Sequence, residues 1–402
     1  MDALKGIRVL DFSWAIAGPY ATEFLALMGA EVIRIESMKR LDVVRVQPHP
    51  VTKQPFDLDQ AYYFMDMNLN KLGIRLDLSQ PEAVDLAKRL VAISDVVVES
   101  FRPGVMAKLG LSYETLSEVN PSIIMLSTSA AGATGPESQY AGYAPLFNAV
   151  GGLGEITGYP DVGPTEMRNT IDSLNAFYNA FSILAALNYR LRTGQGQYID
   201  CSSNEGVACV IGDSLMDFAM NGRVQGRVGN RDESMAPHNC YPCQGEDRWI
   251  SIAVGTEGEW QALCREMGEP ELIEDERFCD TKLRWKNQEA LDRIIEQWTR
   301  NFTNYELMHR LQTVGVAAVP SFDGADMFGD PHLNEREAFQ VIDHPGVGCC
   351  VMLSPPWRFS ATPARITRHA PLFGEHNEYV FCGLLGIPTE EIAQLEAAGI
   401  IY

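Results

Sequence analysis

The sequence predicts an α/β protein in which a doubly wound parallel sheet is covered by helices on both faces, followed by a smaller domain of α+β type. Two observations carry this expectation. From Arg8 to Ser202 short apolar runs alternate with helix-periodic segments, the pattern of parallel strands joined by crossover helices. Beyond Gly222 the texture changes to a strand followed by charged helices. The chain has 402 residues, 46% hydrophobic and 21% charged, which is ordinary globular composition and supports two or three cores.

Arg8 to Phe12 reads as a buried strand, Ala21 to Met28 as an apolar-periodic helix and Glu31 to Glu36 as a second strand ending in an acid, which together make a βαβ unit. A polar, proline-bearing stretch runs from Val46 to Asp59. A strand at Gly73 to Leu78, a helix from Pro81 to Ile93, and strands at Asp95 to Glu99 and Ile123 to Ser127 continue the alternation. Ligands of such sheets sit beyond the carboxyl ends of the strands, which places Ala17, Ser37, Ser100 to Arg102 and Ser129 along one rim. A long apolar helix spans Ser173 to Arg190, and Arg192 to Gln197 ends it with basic residues and glycines. Tyr198 to Ser202 is a short strand. Later, Trp249 to Val254 reads as a strand, Glu257 to Met267 as a helix, and charged helices continue to about Thr313. The chain is loop-rich after Asp330 and closes with a helix from Thr389 to Ala397.

A net charge of −21 argues against nucleic acid and anionic membranes as partners. A small anionic ligand needs only a local cluster, for which Arg34, Lys39, Arg40, Arg45, Lys71, Arg75, Arg102 and Lys108 are candidates; solvated surface charge is the alternative for each. The opening residues lack a leader pattern and no run approaches the roughly 18 apolar residues of a membrane span, so a cytoplasmic enzyme is expected. Nine cysteines, an odd number, fit a reducing compartment. Cys240 and Cys243 have no second spaced pair with which to build a zinc site, and no metal is expected.

Several segments together resemble one family. Leu4-Lys-Gly-Ile-Arg-Val-Leu-Asp-Phe12, Ala17-Gly-Pro19, Gly29 to Glu36, Asn68-Leu-Asn-Lys71, Val98-Glu-Ser-Phe-Arg-Pro-Gly104, Gly132-Ala-Thr-Gly-Pro136, Leu184 to Gln197 and Leu372-Phe-Gly-Glu-His376 stand in the order and spacing of the class III CoA-transferases, also called the carnitine and bile-acid CoA-transferase family. The resemblance implies a large domain of residues 1–220 and 335–402, a small domain of 225–330, linkers at about 200–225 and 325–340, and two ring-like subunits interlocked in a dimer. It also implies that the chain moves CoA from an acyl-CoA donor to a carboxylic acid, with coenzyme A present only as its ester substrate and no tightly bound cofactor.

The family's aspartate lies just before the long helix, where this chain has Ile171-Asp172-Ser173. The resemblance makes Asp172 the nucleophile. Read from local structure alone, Asp172 is equally a helix N-cap, and the two readings are compatible. A helix N-terminus favours the ionised carboxylate, the form that attacks. Coenzyme contacts carry over to Ala17, Leu76 and the segment to Ser79, Ser100, Phe101, Arg102, Lys108, and Ser129 to Gly132. Phe101 is expected to stack on adenine and the two cations to meet phosphates. Ile16 stands where some members carry glutamine and Ser37 where they carry arginine, which puts those two roles in doubt.

The segments Gly229-Asn-Arg231, Ala236-Pro-His238 and Glu257-Gly-Glu-Trp260 resemble the subgroup that acts on arylsuccinates such as benzylsuccinate, with succinyl-CoA as donor. Members of that subgroup pair two related subunits, so a homodimer and a heteromer with a paralogue are both expected partners. Arg231 and His238 are candidates to hold a second carboxylate; a satisfied loop histidine is the alternative for His238. A racemase of the same family would need histidine where Gly142-Tyr143-Ala144 stands; tyrosine, with an unperturbed pKa of about 10, is a poor carbanion-forming base, which leaves Tyr143, like Ile16, as a candidate substrate contact. A non-catalytic partner subunit would not need Asp172. A dinucleotide-dependent oxidoreductase would need three glycines in the turn that holds only Gly18.

Overall fold

A computed structural model describes residues 2–47, 57–167 and 170–401, so most of the stretch from Val46 to Asp59 lies outside the described residues. These residues make two compact units, Met1–Leu153 with Glu166–Met216 and His332–Tyr402, and Gly154–Thr165 with Asp217–Pro331.

The first unit is built on a six-stranded sheet in which every neighbouring pair is parallel: β1 (Arg8–Asp11), β2 (Glu31–Glu36), β3 (Leu72–Arg75), β4 (Val96–Glu99), β5 (Ile124–Ser129) and β6 (Gln197–Ser202). Their order is β3-β2-β1-β4-β5-β6, so the winding reverses between β1 and β4. Successive side chains go to opposite faces. Leu10, Ile33, Ile74, Val97 and Met125 pack on one face with the helix Pro81–Ala92 and with Val380, Phe381 and Ile401 from the chain end. Val9, Val32, Val96, Val98, Ile124 and Leu126 pack on the other with the helices Ala17–Leu27 and Thr170–Thr193. Burial on both faces is why these strands are continuous apolar runs rather than alternating ones.

The chain end joins this unit by covering the edge strand. Gly73 N donates to His376 Nδ1 at 3.1 Å, Arg75 N donates to Asn377 Oδ1 at 3.0 Å, and Asp77 N donates to Ile400 O at 3.0 Å. A Cβ on Gly73 would meet the Pro371 ring at 2.9 Å, so the close approach requires glycine there.

Boundaries moved where tertiary contacts extend what periodicity shows. The first helix starts at Ala17 rather than Ala21: Gly18 and Pro19 are buried, Gly18 so close to Ser13 that a Cβ would clash with its side chain. β3 stops at Arg75, and the long helix is extended at both ends to Thr170–Thr193. The loop-rich tail contains an antiparallel hairpin, β10 (Phe339–His344) and β11 (Gly348–Leu353), whose turn holds Pro345 and Gly346.

The second unit is a three-stranded antiparallel sheet of β7 (His238–Pro242), β8 (Trp249–Ala253) and β9 (Ala317–Pro320), with helices packed around Trp260, Ile250, Leu291, Ile295 and Leu307. Residues 154–165, inside the expected large domain, group with this unit: Arg227 donates to the Glu155 carboxylate at 2.9 Å, and Asn230 donates to the Tyr159 hydroxyl at 3.0 Å. Among the described residues no helix is long and apolar enough to cross a membrane.

Candidate active site

Three loops leave the carboxyl ends of adjacent strands at the point where the winding reverses, the place where an open α/β sheet forms a crevice. The loop after β1 carries Trp14 and Ile16 and leads into the helix at Ala17; the loops after β4 and β5 carry Ser100 to Arg102 and Ala130 to Gly132. Trp14 N donates to Ser100 Oγ at 2.7 Å, and that hydroxyl donates to Trp14 O at 3.2 Å, so the first two loops are tied across the reversal.

A buried ionic network mounts the first loop. The Asp11 carboxylate accepts from Ser13 N at 2.9 Å, Thr22 Oγ1 at 2.6 Å and Lys71 Nζ at 3.1 Å, and Lys71 also donates to Pro19 O at 2.7 Å. Arg34 donates to Ser13 O at 3.0 Å and pairs with Asp42, whose carboxylate accepts Ala15 N at 3.1 Å. Ala15 has φ 61°, a left-handed conformation unfavourable for a residue with a Cβ, and it persists because these contacts over-determine it. Burial pulls the Asp11 carboxyl up, but Lys71, Arg34 and the two hydroxyls outweigh it and hold it below the usual value. Burial, opposed by Asp11, lowers the Lys71 ammonium to about 8.

The network corrects the sequence-based list of ligand cations. Arg34, Arg45 and Lys71 are fully buried and neutralised inside the fold, Arg45 by a two-pronged pair with Glu36 at 2.7 and 2.8 Å. Lys39 pairs with Asp77 at 2.5 Å. Arg75 is packed beneath Gly374 and faces the Phe373 ring. Arg40, Arg102 and Lys108 stay exposed, with no carboxylate partner among the described residues.

The other coenzyme candidates divide. Phe101 N donates to Glu99 Oε2 at 2.7 Å, and its ring stands edge-on to Trp14 at 5.8 Å. Ser129 Oγ is buried with no hydrogen-bond partner among the described residues. Gly132 has φ 80°, beside Asp200, whose carboxylate accepts Ala133 N at 2.8 Å. Ala17 O accepts from Asn179 Nδ2 at 3.4 Å. The Leu76 side chain is fully buried in the core beneath the sheet, which leaves only its backbone toward a ligand. Ser37 closes a tight turn with Arg40.

Sequence reasoning passed over Glu99 and Asp200. Strand register sets Glu99 beside Ser127 and Ser127 beside Asp200, so one row across three strands anchors the loops after β4 and β5. Burial pushes Glu99 up to about 7, against hydrogen bonds from Ser127 and Phe101 N. An acid closing an apolar strand, Val96-Val-Val-Glu99, was the available signal.

Asp172 lies in the first turn of the helix that begins at Thr170, and so inside the helix rather than at its cap. Ile171 before it is fully buried with Ala144, Phe147 and Val207. Its carboxylate is half-buried and has no hydrogen-bond partner among the described residues. Burial pushes it up to about 6, so desolvation outweighs the expected effect of the helix N-terminus. One turn on, buried Asn175 has both amide atoms unpartnered among the described residues, a second polar group that apolar periodicity concealed.

Ile16 immediately precedes the first helix and packs with Phe64 and Leu69, while Tyr143 precedes the helix Ala144–Val150 and is 69% exposed. Arg231 and His238 belong to the second unit and line a cavity of about 440 Å³ with Asn239, Cys240 and Ser251. His238 Nδ1 lies 2.6 Å from Asn230 O, so one ring nitrogen is satisfied locally.

Comparison with known proteins fits this arrangement. The chain matches CoA-transferase family III over residues 4–377. It is 35% identical to a succinyl-CoA–D-citramalate CoA-transferase of Chloroflexus aurantiacus, over 99% of this chain and 98% of that one. It is 32% identical to the beta subunit of a succinyl-CoA–L-malate CoA-transferase of the same organism, with the same coverage. The crystal structure of a CAIB/BAIF family protein from Brucella suis superposes with a TM-score of 0.85 at 32% identity, covering 95% of this chain and 99% of that one. The sheet, the rim at its reversal and these full-length likenesses agree: the chain belongs to CoA-transferase family III, enzymes whose substrates are CoA esters.

Proposed function

We propose that this enzyme moves CoA from succinyl-CoA to a short dicarboxylic acid through covalent intermediates on Asp172. The observation that carries the assignment is the Asp172 carboxylate itself, half-buried and without a partner among the described residues, on the unit that holds the three rim loops. A carboxylate engaged in an ion pair would be a poor nucleophile; this one has no partner among the described residues, and its raised pKa makes it more basic while leaving it mostly ionised at pH 7.

The carboxylate oxygen attacks the thioester carbonyl, the C–S bond breaks, and CoA thiolate leaves behind a mixed anhydride. The thiolate then attacks the aspartyl carbonyl and releases succinate, giving an aspartyl-CoA thioester. The acceptor carboxylate attacks that thioester and expels CoA thiolate, which finally attacks the acceptor's acyl carbon and frees Asp172. One thioester replaces another, so the protein's task is positioning and exclusion of water.

The coenzyme is assigned to Ala17, the Leu76 backbone, Ser100, Phe101, Arg102, Lys108, Ser129 and Gly132, and the acid to Ile16 and Tyr143 of the same unit. D-citramalate and L-malate, named for the relatives, are dicarboxylic acids, and so are the arylsuccinates that the second-domain motifs resemble. The heteromeric L-malate enzyme supports a dimer built from this chain or from this chain and a paralogue. A screen of purified protein with succinyl-CoA against mono- and dicarboxylic acids, benzylsuccinate included, scored by CoA-ester mass, tests the proposal. Esters of dicarboxylic acids are expected; transfer to monocarboxylic acids alone would refute the acceptor class, and no transfer to any acid would refute the activity.

A further inference from the structure

We propose that Arg40, with Trp14 and Phe101, binds the nucleotide end of the coenzyme, Arg40 taking a phosphate while the two rings bound the adenine. This rests on the coenzyme reading of the rim, and it adds two residues to that reading.

After β2 the chain turns back so tightly that Ser37 and Arg40 pair as an isolated antiparallel bridge, Arg40 N donating to Ser37 O at 3.3 Å. The turn lays the Arg40 guanidinium over the Trp14 ring, 4.8 Å from its centroid. Trp14 in turn meets the edge of Phe101. Stacking occupies the face of a guanidinium and leaves its N–H edge open, the arrangement suited to phosphate. Neighbouring Lys39 is already committed to Asp77, whereas Arg40 has no carboxylate partner among the described residues. The platform is also rigid. Trp14 is fixed at both its amide and carbonyl by Ser100 Oγ, and the residues on either side of it by Asp11 and Asp42. A half-buried tryptophan held this firmly, with a cation on its face, on the rim of a parallel sheet, has the chemistry of a purine nucleotide phosphate site.

The test compares succinyl-CoA, succinyl-dephospho-CoA and succinyl-pantetheine as donors for the wild type and Arg40→Ala. The expected result is a rise of about tenfold in KM for succinyl-CoA with little change in kcat, and no change for succinyl-pantetheine, which lacks the nucleotide. A smaller rise for succinyl-dephospho-CoA identifies the 3′-phosphate as the partner; an equal rise identifies the diphosphate. Arg40→Lys should restore binding only partly, because an ammonium offers no planar face to Trp14. CoA titration should quench tryptophan emission, and Trp14→Phe should remove that quenching. Unchanged KM for succinyl-CoA in Arg40→Ala, or an equal loss with succinyl-pantetheine, would overturn the inference. Calorimetric titration with CoA needs no turnover. A wild type that binds CoA more tightly than Arg40→Ala, yet transfers nothing, would overturn the activity and keep this site, while equal affinities would overturn the site alone.

Discussion

Replacing Asp172 by Asn should cost the enzyme its activity and make it more stable, and the balance depends on pH. Burial lifts this carboxyl from 3.8 to about 6 in the folded chain. The folded state therefore holds the proton more tightly than the unfolded state does. With the folded pKa above the unfolded one, the associated stability is complete below about pH 4 and is lost as the pH rises through about 6. A shift of roughly two units at about 1.4 kcal/mol each sets a ceiling near 3 kcal/mol; partial solvent access reduces the expected value to about 1–2 kcal/mol. The amide has nearly the same shape and no charge to desolvate, so it carries no such penalty. Thermal unfolding of both proteins at about pH 4 and about pH 8 measures the difference. Asp172→Asn should melt higher at pH 8, match the wild type at pH 4, and transfer CoA at less than about a hundredth of the native rate. An equal melting difference at both pH values would refute a desolvated carboxylate. Retained transfer, without deamidation back to Asp, would refute the nucleophile.

The same carboxylate should show itself chemically: acyl-CoA alone should build an adduct that hydroxylamine converts to a hydroxamate on the Asp172 peptide, and Asp172→Ala should abolish it. The rate of that half-reaction should fall about tenfold per pH unit below about pH 6, as the ionised fraction falls; a flat rate down to pH 5 would assign the attack to another group. Arg102→Ala and Lys108→Ala should raise KM for acyl-CoA more than they lower kcat, because phosphate contacts are equal in ground and transition states; equal changes in both with normal CoA affinity would remove them from the site. Lys71→Met should destabilise the protein by about 3–5 kcal/mol in chemical denaturation, since it strips the buried Asp11 of its ammonium partner, whereas a loss under about 1 kcal/mol would mean that Arg34 alone compensates Asp11.

What the sequence determined by itself is the local order. Strand β2 at Glu31–Glu36 and the helices at Glu257–Met267 and Thr389–Ala397 were legible to the residue, because apolar pattern and length agree there and Thr256 with Glu259 caps the first of the two helices. The family was legible in motifs scattered from Leu4 to His376, and through it the place of Asp172. Tertiary structure alone decided which charges are available. Lys71, Arg45 and Arg40 are alike as sequence, yet Lys71 reaches Asp11 sixty residues away, Arg45 donates to Pro371 O across the chain, and Arg40 is left facing Trp14. The cover that β3 receives from His376 and Asn377, and the row of Glu99, Ser127 and Asp200, likewise join segments distant in sequence. Asp172 shows the same division: its nearness to the start of the long helix could be read from the chain, but its place inside the first turn and a carboxyl near pH 6 could not, because the latter follows from desolvation, a property of the packed surroundings rather than of the residue.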